Sequence, residues 1–196
     1  MSETSLSLLD RLTHEPQAAA WDQFVELYRP LLTRWLTRYG VQGEDADDLT
    51  QETLMVVVRE LPRFRHAQRA GSLRAWLRTI LVHRLRDFWR SRSYRPLATG
   101  NTDFQAQLAD LADDASRISQ VWNREHDELV MQRLLEAVRG RFAPQTWQAF
   151  RRQVIDGLSA EGVATELGMA LGSVYVAKSR VLNALRREAA GLLDLD

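Results

Sequence analysis

Apolar residues return at every third or fourth position from Trp21 to Trp89, with one break, and again from Ile118 to Leu185, and neither block alternates with period two. That spacing gathers side chains along one side of a helix and leaves the other side polar, so the chain is expected to be all-α. Trp21, Phe24, Val25, Tyr28, Leu31, Leu32, Trp35 and Tyr39 mark a long first helix, with a kink expected at Pro30, which has no backbone N–H to donate. Ala46, Leu49, Thr53, Val56, Val57 and Leu61 mark a second that stops before Pro62. Leu73, Trp76, Leu77, Ile80, Leu81, Leu85, Phe88 and Trp89 mark a third, with Trp76 expected in the core.

Between the two blocks the period is lost. "SRSYRPLATGNTDFQAQLADLADDA" is acidic and aperiodic, and a structureless stretch of this length is improbable inside one compact domain. Two small helical domains are therefore expected, 1–92 and 116–190, joined by a flexible acidic linker, 93–115. A piece ending near residue 95 is expected to close its own core. In the second domain Ile118, Val121, Trp122, Leu129, Leu134, Leu135 and Val138 mark a helix running to about Gly140. "APQTWQAFRRQVIDG" follows, with Pro144 at a helix start and Gly157 at its end. The last stretch reads as two helices with a tight turn at Gly168 and Met169. Val163, Ala164 and Leu167 of the first, and Val174, Ala177, Val181 and Leu185 of the second, are expected inward.

Several function classes are excluded early. The 196 residues hold no cysteine, which removes disulfides and thiolate metal sites, and the four histidines (14, 66, 83 and 126) are dispersed. Each is read as a surface or half-buried residue, and no metal or cofactor is expected. There is no glycine-rich phosphate loop, no HExxH and no GxSxG, so an enzyme is not expected. The N-terminus carries acids and no apolar run of signal length, and no window approaches a membrane span, so the chain is read as cytoplasmic.

The formal net charge is zero, but the charges lie in blocks. Residues 44–52 carry five acids and no base; 59–95 carry eleven arginines against Glu60 and Asp87; 100–128 carry seven acids against two arginines; 133–187 carry nine bases against four acids. Two basic modules thus flank an acidic connector. In the second, the side of the last helix opposite Val174 holds Gly172, Val176, Ser179, Asn183 and Arg186, flanked by Ser173, Tyr175, Arg180 and Arg187. Small polar side chains near its start suit approach to base edges, and the cations further on suit phosphates. Lys178 falls at the core boundary, its stem packed and its ammonium reaching outward. In the first module, acids in the opening turn of the second helix suit the macrodipole. That leaves Asp48, Gln51, Glu52, Met55 and Arg59 as an exposed polar stripe, read as a docking site for a protein.

"DADDLTQETLMVVVRELPRFR" with "GSLRAWLRTILVHRLRDFWR" resembles the second conserved region of bacterial RNA polymerase sigma factors, and "LSAEGVATELGMALGSVYVAKSRVLNALRR" resembles their fourth. With the first and third regions replaced by a short linker, the chain resembles an extracytoplasmic-function (ECF) sigma factor. The resemblance implies a non-enzymatic factor that binds core RNA polymerase and directs initiation at a two-part promoter. Asp48, Gln51, Glu52 and Met55 match the motif that docks on the clamp helices of the largest polymerase subunit; the flap and an anti-sigma factor are further partners it implies. Arg65, Arg74, Arg78, Arg86 and Arg90 match the minus-ten region, the last four as phosphate contacts along one helix face. Ser173, Tyr175, Val176, Lys178, Ser179, Arg180 and Arg187 match the helix that reads the minus-thirty-five element. The chain departs from the family pattern at His83, where Asn is usual, at Gly162, where Glu is usual, at "YVAK" in the reading helix, and at Ala75–Trp76, where housekeeping members carry two adjacent aromatics. The alternative reading is a stand-alone helix-turn-helix regulator, which has no use for the acidic stripe at Asp48, Gln51 and Glu52.

Overall fold

The computed structural model describes residues 8–14, 18–64, 72–92, 101–190 and 192, and among these the only regular structure is helical. The helices are α1 (Leu8–His14), α2 (Ala18–Arg38), α3 (Glu44–Glu60), α4 (Ser72–Arg92), α5 (Asn101–Ala112), α6 (Arg117–Arg139), α7 (Pro144–Phe150), α8 (Ala160–Leu167) and α9 (Leu171–Ala189). A 3₁₀ turn at Leu61–Arg63 follows α3, and α7 runs on into a π turn, Arg151–Ile155. The chain divides within α6 into two compact units, Leu8–Val130 and Met131–Ala190.

In the first unit α2, α3 and α4 pack on one another with the apolar stripe of each inward. Phe24, Tyr28, Leu31, Leu32, Trp35 and Leu36 of α2 meet Leu49, Leu54 and Val57 of α3 and Leu73, Leu77, Leu81 and Leu85 of α4, all of them buried. α2 continues through Pro30, an exposed position, because a missing donor costs less where water satisfies the orphaned carbonyl. The turn from α2 to α3 needs a glycine at 40. Its φ is +82°, and an added Cβ would lie 3.3 Å from the Trp89 ring. Pro62 stands in the first turn of the 3₁₀ segment, where a proline costs no hydrogen bond, and so ends α3 as expected.

Two expectations are corrected in this unit. The stretch 93–115 is not aperiodic throughout: Asn101–Ala112 is helical, and Leu108 and Leu111 are fully buried where α5 packs on α4. The first half of α6, expected in the second domain, closes the core of the first. Trp122 is fully buried, its ring set edge-on to Trp35 at 5.2 Å between centroids, and its indole N–H donates to the Arg74 carbonyl at 3.0 Å. Trp76, expected in the core, is only half-buried and lies against Phe64 at 4.7 Å between ring centroids.

The second unit follows the expected order. Pro144 opens α7, and α8 and α9 are joined by a turn at Gly168, whose φ of +61° is the left-handed conformation that glycine adopts without a Cβ clash. Ala149, Ala160, Val163, Val174 and Ala177 form the core here, with Ala164, Leu167 and Met169 packed against it. Ser159 caps α8 by accepting the Gly162 N–H at 3.1 Å. Arg141 reaches across to the buried Glu188 of α9 at 2.6 Å, so the one acid in that helix is paired.

Candidate functional site

The acidic stripe of α3 lies as its spacing predicts. Asp48, Gln51, Glu52, Met55 and Arg59 are exposed while Leu49, Thr53 and Val57 are buried, and Met55 stands 64% exposed. Thr50 and Thr53 turn their hydroxyls back to the carbonyls of Ala46 and Leu49, so their oxygens are satisfied within the helix and the inner face stays dry. Asp48 and Glu52 share a shallow groove with Arg84, Asp87 and Phe88 of α4. Asp45 lines the same groove, and Arg84 is held by Asp87 at 2.9 Å, so the groove presents mainly acidic side chains.

The arginines of α4 are not on one face. A four-residue step turns a helix by about 40° beyond a full revolution, so from position 74 to position 90 the row winds by about 160°. The surroundings agree. Arg74 pairs with Asp127 at 2.7 Å, and Arg78, only 3% exposed, pairs with Asp114 and donates to the Asn123 side chain at 3.4 Å. Burial first, then the charge of Arg74, pulls the Arg78 guanidinium below its ordinary range, with Asp113 opposing both. Arg86 is half-buried, and Arg90 is 77% exposed with Asp87 at 3.6 Å. Arg65 lies outside the described residues.

A polar chain that sequence reasoning missed runs beside Arg74. His126, expected at most half-buried, is fully buried: its Nδ1 faces Asp127 at 3.0 Å and its Nε2 faces the Tyr28 hydroxyl at 3.1 Å. An ionised carboxylate only accepts, so Nδ1 carries the proton, and in the neutral ring Nε2 accepts from the Tyr28 O–H. Burial, then the Asp127 charge, pushes the Tyr28 phenol well above its usual range. For Asp127 burial alone would raise the carboxyl, but the hydrogen bond from His126 and the charge of Arg74 outweigh it and hold it below the usual carboxylate range. The preceding residue, Glu125, accepts the Trp35 indole N–H at 2.8 Å and pairs with Arg38 at 2.9 Å. Each of these residues stands inside what reads from sequence as the start of another domain, so no short-range pattern linked them to α2 or α4.

On α9 the outward side also lies as predicted. Ser173, Tyr175, Val176, Ser179, Arg180, Asn183, Arg186 and Arg187 are exposed or at the rim, with Tyr175 at 51% and Val176 at 55%, and Lys178 is intermediate at the core boundary. Arg180, Arg186, Arg187 and Asn183 surround a shallow depression beside Phe142. Three further apolar side chains of this unit, Val154, Ile155 and Leu158, are exposed where the π turn leads to α8. Among the described residues no cluster could hold a metal ion and no helix is long and apolar enough to cross a membrane.

The Sigma-70 region 2 family matches residues 24–95. Over 176 residues the chain is 30% identical to the ECF RNA polymerase sigma factor SigD of Mycobacterium tuberculosis, covering 86% of this chain and 77% of that one. It is 26% identical to the ECF RNA polymerase sigma factor SigE of Mycolicibacterium smegmatis, covering 87% of this chain and 62% of that one. Among solved structures, CnrH in complex with the cytosolic domain of CnrY matches at 20% identity and a TM-score of 0.38, over 91% of this chain and 92% of that one. With its all-helical architecture and a region 2 match that spans α3 and α4, the chain belongs to the ECF RNA polymerase sigma factors, non-enzymatic initiation factors that bind core polymerase and promoter DNA.

Proposed function

We propose that three surfaces, on α3, α4 and α9, divide the work of a sigma factor. Asp48, Gln51, Glu52 and Met55 on α3 dock on the clamp helices of the largest polymerase subunit. The arginines of α4, with Arg65 before it, contact the minus-ten element. The outward side of α9 reads the minus-thirty-five element in the major groove: Ser173, Tyr175, Val176 and Ser179 against base edges, Lys178, Arg180 and Arg187 against phosphates. The exposed Ile155 and Leu158 are the surface offered to the flap. The first unit, up to Val130, holds polymerase and the downstream element, the second reads the upstream one, and both act in the cytoplasm with the polymerase.

The observation that carries this reading is the α3 stripe. Two carboxylates and a methionine stand in solvent on a helix whose other side is packed, and neither capping nor core formation accounts for them. A regulator acting without polymerase would gain nothing from that surface. Asp48→Arg with Glu52→Arg leaves the buried face untouched and reverses the charge offered to the partner. Core-polymerase affinity is expected to fall at least tenfold, about 1.4 kcal/mol, with helical content unchanged. Full affinity in the folded double variant would refute the docking assignment.

A further inference from the structure

The basic row of α4 is half covered by the chain itself. Arg74 and Arg78 face Asp127, Asp114 and Asn123, while Arg90, beyond the cover, is exposed. The cover is built as a unit. Ser116 caps α6 by accepting the Ser119 N–H at 3.1 Å, and the buried Ser119 hydroxyl donates to the Leu111 carbonyl at 2.9 Å, so the turn from α5 to α6 is fixed from both sides. Trp122 and His126 then anchor the helix to α2 and α4. Two arginines four residues apart repel each other, and this segment supplies the counter-charges that let them sit together half out of water.

We propose that the α5–α6 turn and the first half of α6 are a latch that shields part of the promoter-binding face, and that engaging DNA exchanges its carboxylates for phosphates on Arg74 and Arg78. This rests on the reading of α4 as the minus-ten surface. Carboxylate and phosphate oxygens present the same acceptors to a guanidinium fork, so the exchange conserves the charge-assisted hydrogen bonds and frees the two carboxylates, while the buried Trp122 and His126 keep α6 seated. The free factor thereby keeps its non-specific attraction for nucleic acid low, although 59–95 carries eleven arginines.

The test compares the full-length protein with Asp114→Asn/Asp127→Asn, which keeps the side-chain shapes and removes the two charges. The probe is a fluorescent single-stranded oligonucleotide of randomised sequence. The double variant is expected to bind at least about threefold tighter, with a salt slope steeper by about 0.7 for each further phosphate neutralised. Hydrogen exchange of residues 113–116 supplies the second readout. The turn they form is mostly exposed and reaches α4 through Asp114, so its amides are expected to lose protection when the wild-type factor, bound to core polymerase, is saturated with the oligonucleotide. Unchanged affinity and slope in the double variant, or unchanged protection at saturation, overturns the latch. Arg86→Ala/Arg90→Ala separates this from failure of the underlying reading. These positions lie outside the latch, so a loss of affinity there upholds α4 as the DNA surface, whereas no loss, with no rise in affinity for Asp114→Asn/Asp127→Asn, overturns both.

Discussion

Asp127 shows how much one carboxylate can be asked to do: it takes a proton-bearing nitrogen from His126 on one oxygen and the Arg74 guanidinium on the other. Its carboxyl is held below the ordinary range, so folding favours the ionised form. The contribution is therefore fully present above the unfolded-chain value, about 3.9, and is lost as pH falls through the lower folded value. Asp127→Asn should be less stable than the wild type at pH 5, and the gap in denaturant midpoint should narrow steadily as the pH is taken to 3. A gap that stays constant over that window would show that the pairing contributes nothing through ionisation. None of this is legible in the sequence, which shows a His–Asp pair in an acidic stretch while its partners Tyr28 and Arg74 are 98 and 53 residues away along the chain from His126 and Asp127. The residues that lie outward on α3 and α9 are legible, because a regular helix fixes which side chains share a face.

At the scale of elements the helical period locates α2, α3, α4 and α6 to α9 and misses α1 and α5. Among the α5 side chains that are described, Leu108 and Leu111 are buried, one turn apart and set among Asp110 and alanines; with Phe104 they make a stripe only two turns long, which the acidic surroundings mask in the sequence. The same limit misassigns the first half of α6, since periodicity says that a helix has a buried side and not what covers it. It also makes a single face of the α4 arginines, because a four-residue repeat looks straight in sequence and winds on the helix. The correction changes which piece of the chain should fold alone. Residues 1–95 leave Trp35 and Tyr28 without Trp122 and His126, whereas 1–130 keep them. A large-to-small change at a buried aromatic costs about 3 to 5 kcal/mol. On that scale, the 1–130 fragment should be more stable than 1–95 by at least about 3 kcal/mol in urea unfolding. Equal stability would mean that the α6 contacts are not part of the core of the first unit.

For the whole molecule, the charge blocks are the feature in which sequence and structure meet. The acidic block at 44–52 supplies the outward stripe of α3, Asp114 and Asp127 of the acidic block at 100–128 become counter-charges for α4, and Lys178, Arg180, Arg186 and Arg187 of the basic block at 133–187 lie along α9. A net charge of zero therefore hides a division into surfaces of opposite sign, each suited to a different partner. The central claim is that this chain confers promoter choice on core polymerase through two separate readers. The most direct measurement is transcription by core polymerase and this protein on a library of randomised upstream DNA, with the templates of the transcripts sequenced, for the wild type and for Ser173→Ala, Tyr175→Ala and Arg187→Ala. The wild type should enrich two short elements at a fixed spacing. Ser173→Ala or Tyr175→Ala should change the preferred upstream element, at about 1 to 3 kcal/mol for each lost base contact, while Arg187→Ala should lower output from all templates alike. No enrichment over core polymerase alone, or an upstream preference identical in all four proteins, would contradict the account.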